Sequence, residues 1–347
     1  MTKYVLYFFA FLCISTSIYA QGSDMSSKIN ALLATKTNKP FNGAIIIAQK
    51  GVVYYAKNNG YSNLEKKTDL TLNDQFVIGS ISKQITAVLV LQEYEKGHLK
   101  LDAPIINYLP ELTQRWADTV TIQQLLSHTH GINDVSKPLA FPAGTQYAYS
   151  QLGYELLAKI VERVSLKTFS ELAAALFTRC NMKNTVDPSA QTPKNLVTAY
   201  TEQKDGSLTI EKECLQNPVP AGGFISTAND LLLWNESLFG GKLLASSTFK
   251  LLTTKQPNAV REHPVFGTTD YGLGITVDTK EDILQYGQTG FAPGFASMDF
   301  YFPETKTSVI ILENIAYYPE DLSKTFHYHT DILKLIRESS FVLRKSH

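Results

Sequence analysis

Ser80 and Lys83 stand three residues apart in the segment Phe76-Val-Ile-Gly-Ser80-Ile-Ser-Lys83-Gln, at the point where helical spacing begins. On a helix that spacing puts both side chains on one face, about a turn apart. A serine hydroxyl is a weak nucleophile until a base removes its proton, and a neutral lysine amine can be that base. A free lysine has a pKa of ~10.4, so an amine that is neutral near pH 7 needs about 4–5 kcal/mol of differential interaction. Burial or a neighbouring cation would have to supply it. The helix N-terminus adds free N–H groups and partial positive charge, which suit a developing oxyanion. The pattern is short, and a capping serine beside a solvated lysine satisfies it equally well. Ser82 is adjacent but has no lysine three residues later.

Other residues could carry different chemistry. His128-Thr-His130 and His327-Tyr-His329 each bring two histidines close enough to share a metal on a strand. A metallo-hydrolase would need a further Asp-His, and none follows His130. Surface or helix-packing positions are expected for both pairs, and solvent for His98 and His263, which stand alone. Gly222-Gly223 lacks the downstream Lys-Ser/Thr of a phosphate loop, so no metal and no cofactor is implied. The chain has 3 cysteines, which excludes a disulfide scaffold and a four-Cys zinc site. Cys180 and Cys214 could pair in an oxidising compartment if the fold brings them together.

The elements that must position Ser80 and Lys83 follow from periodicity. Gly43–Ala48 and Val52–Ala56 read as a hairpin around Gln49-Lys50-Gly51. Gln84–Lys96, with Ile85, Val88, Leu89 and Leu91 apolar and Gly97 as its stop, reads as an amphipathic helix. Leu152–Val164 is another. Ser170 is a candidate cap for a helix through Phe177, and Thr227 or Asn229 for one through Leu238. Strand patterns return at Tyr271–Val277, Ile283–Gly287, Phe295–Phe302 and Val309–Glu313, and residues 319–337 read as a closing helix. Strands at both ends and helices between them predict an α+β fold, with one composite sheet and an inserted helical lobe.

Composition narrows the partners. The chain has 347 residues, 44% hydrophobic and 18% charged, which supplies a sizeable core. Lys plus Arg and Asp plus Glu are both 32, so the basic excess of a nucleic-acid binder is absent. Met1-Thr-Lys3, an apolar run from Tyr4 to Cys13 and Ile18-Tyr-Ala20 before Gln21 read as a signal peptide over residues 1–20. The run is shorter than the ~20 residues of a spanning helix. Cleavage after Ala20 is expected, giving an exported, periplasmic or secreted protein with no stable membrane insertion.

The string from Phe76 to Lys83 resembles the first motif of the serine β-lactamase and penicillin-binding-protein superfamily. It is most similar to the branch of class C β-lactamases, DD-carboxypeptidases, D-aminopeptidases and family VIII esterases. Further matches follow in order. Gly97-His-Leu-Lys-Leu-Asp-Ala-Pro104 with Tyr108-Leu-Pro110 resembles the stretch after the first helix, and Ser127-His-Thr-His-Gly131 the family's His-Thr-Ser-Gly segment. Tyr149-Ser-Gln151 resembles the Tyr-x-Asn motif, and Pro220-Ala-Gly-Gly223 with Ser226-Thr227 the Gly-Gly loop. Tyr271-Gly-Leu-Gly274 and Gln288-Thr-Gly290, followed by Pro293-Gly294, resemble the final strand motif. The similarity runs from about Gly43 to Asn314.

The resemblance implies a β-lactamase/transpeptidase-like fold, mostly antiparallel, in one hydrolase domain over 21–347. Its sheet lobe would span about 28–72 and 261–347, and its helical lobe about 73–260. It implies Ser80 as the acyl-forming nucleophile, Lys83 as base or proton relay and Tyr149 as a proton shuttle. The Ser80 and Phe291 N–H groups would form the oxyanion hole, with Gln151, Gln288, Thr289 and Gly290 lining the substrate. Residues 288–290 are expected on an edge strand. Three positions depart from the family pattern. Gln288 stands where Lys or His is usual, which removes a cation that holds a substrate carboxylate and assists the tyrosine. Gln151 replaces Asn on a longer arm, and His130 replaces Ser at a position read as structural. An ester or short D-amino-acid peptide is therefore the expected small-molecule substrate. The alternatives are a β-lactam, with turnover or as a penicillin-binding sensor, and a non-catalytic binder of cell-wall peptide or a partner protein.

Overall fold

The structure is a computed structural model that describes residues 24–339. The expected export signal over residues 1–20 lies outside the described residues. Eight strands make one antiparallel sheet: β1 (Gly43–Gln49), β2 (Val52–Asn59), β3 (Val260–His263), β4 (Gly267–Tyr271), β5 (Thr276–Asp278), β6 (Gln285–Ala292), β7 (Phe295–Phe302) and β8 (Thr307–Glu313). Their order across the sheet is β2-β1-β8-β7-β6-β5-β4-β3. The two chain ends therefore meet along β1 and β8, in register from Gly43↔Glu313 to Gln49↔Thr307. This is the composite α+β sheet that strands at both ends predict.

The helices are α1 (24–33), α2 (Ser82–Glu95), α3 (Ile122–Leu126), α4 (Leu152–Ser165), α5 (Phe169–Arg179), α6 (Ala228–Leu238), α7 (Ser246–Thr253), α8 (Leu322–Thr325) and α9 (His327–Arg337). The sheet is covered on both faces, which explains the unbroken apolar run of β1. Ile45 and Ile47 pack with Met25, Ile29, Tyr328 and Ile332 from α1 and α9. Ala44, Ile46 and Ala48 face the core that contains α2, α4 and α6. Residues Ser82 to Leu91 of α2 are all buried. Its predicted amphipathic stripe is really one side of a central helix, wrapped by the sheet on one side and by helices and turns on the other. Among the described residues no helix is long and apolar enough to cross a membrane, and Cys180 and Cys214 are free thiols.

Some predicted boundaries move for identifiable reasons. The run Tyr271–Val277 is two strands, split by a tight turn in which Gly272 N–H donates to the Ile275 carbonyl at 2.8 Å. Gly274 needs its positive φ of 85° there, and a Cβ on it would fall 2.5 Å from Ala87 Cβ of α2. The cap of α5 is Thr168 rather than Ser170, because Thr168 and Glu171 form a reciprocal capping box. Thr227 caps α6.

One buried acid sits behind the site. Asp299 on β7, opposite Gln288 in register, accepts a 2.6 Å hydrogen bond from Asn235 Nδ2, and its Oδ2 has no partner in the protein. Burial, eased only in part by Asn235, pushes its carboxyl up from 3.8 to about 7. The folded chain thus keeps a proton that the unfolded chain releases. That contribution to stability is complete below pH ~4 and is lost as the pH rises through about 7. Asp299→Asn should flatten the loss between these limits and raise stability at pH 8 by about 1–4 kcal/mol in urea unfolding. A variant whose stability falls with pH as steeply as the parent's would contradict this role.

Candidate active site

Ser80 lies in the short 3-10 turn Gly79–Ile81 that feeds α2. The residues before it, Phe76–Val77, pair with Ile225–Ser226, and Ile78 N–H donates to the Phe224 carbonyl at 3.0 Å. The turn is pressed against β6. A Cβ on Gly79 would stand 2.5 Å from the Phe291 nitrogen, and one on Gly290 would overlap the Ile78 carbonyl oxygen. Glycine at both positions lets two backbones touch, which brings the Phe291 amide beside the Ser80 turn. Gly79 also takes a positive φ of 55°.

β6 is not an edge strand, as expected from the sequence, but the fifth of eight in the sheet. β5 is only three residues long and pairs with Gln285, Tyr286 and Gly287 alone. From Gln288 onward β6 therefore has strand pairing on one side only, through β7. The open side is created by a short neighbour rather than by the end of the sheet.

Lys83 is 0% exposed. Its Nζ stands 3.4 Å from Ser80 Oγ and donates a 2.6 Å hydrogen bond to the Ala221 carbonyl. Ala221 belongs to a single wide helical turn, Val219–Gly223, which α2 itself anchors. Thr86 Oγ1 donates to the Pro220 carbonyl at 2.7 Å, and Ser82 Oγ accepts from Phe224 N–H at 3.2 Å. The Gly-Gly segment noted in the sequence thus fixes the lysine. Burial lowers the Lys83 pKa, Tyr149 works in the opposite direction, and Arg261 adds to the lowering.

Tyr149 is 36% exposed and lies in an irregular segment before α4. His128 holds that segment from behind. Its carbonyl accepts Ala148 N–H at 2.9 Å, its Nδ1 accepts Ser150 N–H at 3.2 Å, and its ring lies 4.5 Å from the Tyr149 ring. Lys83 Nζ is 4.6 Å from the centre of the Tyr149 ring, and Arg261 Cζ is 4.5 Å from it. Burial opposes the phenolate, but Lys83 and Arg261 outweigh it and hold the phenol below its ordinary value, helped by hydrogen bonds with Lys83 and Ser80. Gln288, 0% exposed, donates from Nε2 to the Tyr149 hydroxyl at 3.3 Å. Its Oε1 accepts from Thr276 Oγ1 at 2.9 Å, which sets the amide's orientation.

The structure therefore gathers Ser80, Lys83, Tyr149, Gln288, Gly290 and Phe291. Thr289 is next to them on β6, but its hydroxyl bonds His263 Nε2 at 2.9 Å. Gln151 is exposed at the start of α4, and no hydrogen bond ties its side chain to Ser80, Lys83 or Tyr149. The sequence misplaces His263 in solvent; it is buried, and its Nδ1 accepts the Val265 and Phe266 N–H groups. That leaves the proton on Nε2, facing Thr289. Burial, with Arg261 and Lys280 nearby, depresses the His263 pKa to about 3, so the ring stays neutral. His98 is exposed, as expected, and bonds Glu93 at 2.7 Å.

Of the surface and helix-packing positions expected for His128 and His130, both take the second: they are buried against α4, at Tyr154 and Gly153 respectively, and each ring accepts a backbone N–H, from Ser150 and Ile132. His329 is buried between Glu313 and the Ala296 carbonyl, whereas His327 turns to the Lys324 carbonyl. Among the described residues, no three His, Cys, Asp or Glu side chains group in a way that could hold a metal. The residue that sequence reasoning missed is Arg261. No motif marks it, and β3, which carries it, has no apolar alternation.

Comparisons with known proteins identify the family and the fold. The family model described as Beta-lactamase matches residues 35–334. The chain belongs to the Beta-lactamase family, within the serine β-lactamase and penicillin-binding-protein-like superfamily. Protein flp of Staphylococcus aureus (strain N315) is 23% identical over 336 residues, covering 86% of this chain and 64% of that protein. The fold is similar to that of the D-amino acid amidase from Ochrobactrum anthropi SV3, with a TM-score of 0.79 and 19% identity over 90% of this chain and 99% of that one. It is similar also to the octameric penicillin-binding protein homologue from Pyrococcus abyssi, with a TM-score of 0.76 and 23% identity over 91% of this chain and 78% of that one.

If the touching backbones at Gly79 and Gly290 form the oxyanion site, Gly290→Ala must push β6 away from the Ser80 turn. Labelling of Ser80 by a fluorophosphonate probe should then slow by about 10²–10³ while thermal unfolding remains cooperative. Labelling at the parent's rate would show that this contact does not serve the nucleophile.

Proposed function

We propose that this protein is an exported serine hydrolase that works through an acyl-enzyme formed on Ser80. The observation that carries the reading is the 3.4 Å approach of a fully buried lysine amine to the Ser80 hydroxyl, with Tyr149 beside both. Ser80 Oγ attacks an ester or amide carbonyl carbon, and its proton passes to the Lys83–Tyr149 pair. The oxyanion is met by the Ser80 and Phe291 N–H groups. Collapse of the tetrahedral species expels the alcohol or amine, which leaves with that proton. Water then attacks the acyl carbon, and the products are the carboxylic acid and free Ser80.

The interactions that set the protonation of Lys83 and Tyr149 include no carboxylate. The deacylating water is therefore assigned to the same base pair, with Tyr149 the better placed because it faces the cleft. Gln288 gives a substrate a hydrogen-bond donor without charge. This favours esters and short D-amino-acid amides or peptides over anionic β-lactams. The D-amino acid amidase likeness points the same way as a matter of fold alone.

Intact-mass analysis after fluorophosphonate treatment should show one adduct on the parent and none on Ser80→Ala. Lys83→Met should slow adduct formation by about 10²–10⁴. Screening p-nitrophenyl esters, D-amino-acid amides and a chromogenic β-lactam then separates the substrate classes. No adduct on folded parent protein would contradict acyl-enzyme chemistry and favour a binding role. A β-lactam adduct that persists without turnover would favour a penicillin-binding sensor.

A further inference from the structure

The charge distribution of the site contains an unexplained group. Arg261 on β3 is only partly exposed, its Nη1 is fully buried without a hydrogen-bond partner in the protein, and no carboxylate among the described residues pairs with it. Leaving a buried donor unmade costs about 1–3 kcal/mol, more for a charged group. The chain nevertheless places this guanidinium on the ring face of Tyr149, with Cζ 4.5 Å from the ring centre. β3 is held in place by β4, with Arg261 opposite Thr269, and His263, two residues on, docks on Thr289. The strand that carries the cation is thus tied to the strand that carries Gln288.

The groups around Tyr149 come from every element packed against it. They are Ser80 and Lys83 at the start of α2, His128 behind it, Gln288 from β6 and Arg261 from β3. Tyr154 of α4, Tyr271 of β4 and Tyr147 complete the aromatic wall around His128. None is an acid. Burial keeps His128 neutral, well below its ordinary value, and Gln288 carries no charge. Lys83 can lose its proton in the reaction cycle. Arg261 is the one group in this set whose positive charge persists throughout it.

We propose that Arg261 is a positioning residue of this site: its guanidinium, seated on the Tyr149 ring, supplies the fixed positive charge that Gln288 does not, and so holds Tyr149 ready to take the Ser80 proton. The family resemblance placed the loss at residue 288. The structure supplies the charge from a different strand, on the ring face rather than at the hydroxyl. Gln288 keeps only the hydrogen bond to that hydroxyl. This inference rests on the acyl-transfer reading, since it assigns Arg261 a role through Tyr149 in acylation of Ser80.

The test is the rate of fluorophosphonate acylation against pH for the parent, Arg261→Gln, Arg261→Met and Arg261→Lys, with thermal unfolding of each. The probe is neutral and does not depend on knowing the substrate. Removing the cation should move the acid limb of the profile up by about one pH unit or more. It should cut the rate at pH 7 about tenfold or more, with recovery at high pH. Arg261→Lys should restore most of the shift. An ultraviolet difference titration supplies a readout on the unaltered protein. One tyrosine should ionise ahead of the rest, and that early phase should vanish in Tyr149→Phe.

An unchanged acid limb in folded Arg261→Gln, or no early tyrosine phase in the parent, would overturn the proposal. So would an effect confined to the KM of carboxylate-bearing substrates, which would make Arg261 a substrate anchor. A parent protein that the probe does not label at any pH would instead contradict the acyl-enzyme reading itself.

Discussion

The site depends on burying a lysine amine with no carboxylate to pair with it. An ammonium ion loses its hydration in such a place, so Lys83 holds its proton less tightly than a solvated lysine does. Lys83 is held by the Ala221 carbonyl at 2.6 Å and the Ser80 hydroxyl at 3.4 Å, with Tyr149 beside it. Everything else in the fold can be read as holding that amine in place. α2 is buried from Ser82 to Leu91, the 219–224 segment is bonded to it at three points, and β6 closes the Ser80 side where Gly290 meets Gly79.

The same logic explains the aromatic surroundings. Tyr149 cannot be a base as an ordinary phenol, and burial alone would make it a weaker acid still. Two cations reverse that effect, one on the base side and one on the ring face. His128 contributes no charge, because burial and neighbouring cations keep it neutral. Its part is mechanical: one carbonyl and one ring nitrogen grip the residues on either side of Tyr149. The His-Thr-x-Gly segment is thus structural in the specific sense of aiming the tyrosine.

Much of this was legible in the sequence. The Ser80–Lys83 spacing, the hairpin at 43–59, the helices through Glu95 and Ser165 and the late strands through Glu313 all carry strong periodicity or cap signals. Parts that failed to show share a cause. β3 reads Val-Arg-Glu-His, half of it exposed and none of it alternating apolar with polar, so hairpin pairing with β4 defines it rather than side-chain pattern. Arg261 and His263 were consequently invisible as site residues. The Tyr271–Val277 run looks continuous because its turn residues, Gly-Leu-Gly-Ile, are apolar; the turn is buried against α2 and needs no polar signal. The open side of β6 depends on the brevity of β5, a property of sheet pairing that no local window contains.

The most direct test of this arrangement is the ionisation of Lys83 itself, followed by NMR of protein labelled at lysine Cε, with the Lys83 signal assigned by its loss in Lys83→Met. Lys83 should titrate clearly below the surface lysines, because desolvation disfavours its ammonium form more than Tyr149 supports it. A Lys83 signal that titrates together with the surface lysines would show that burial does not loosen its proton, and the account of Lys83 as the proton relay for Ser80 would fail.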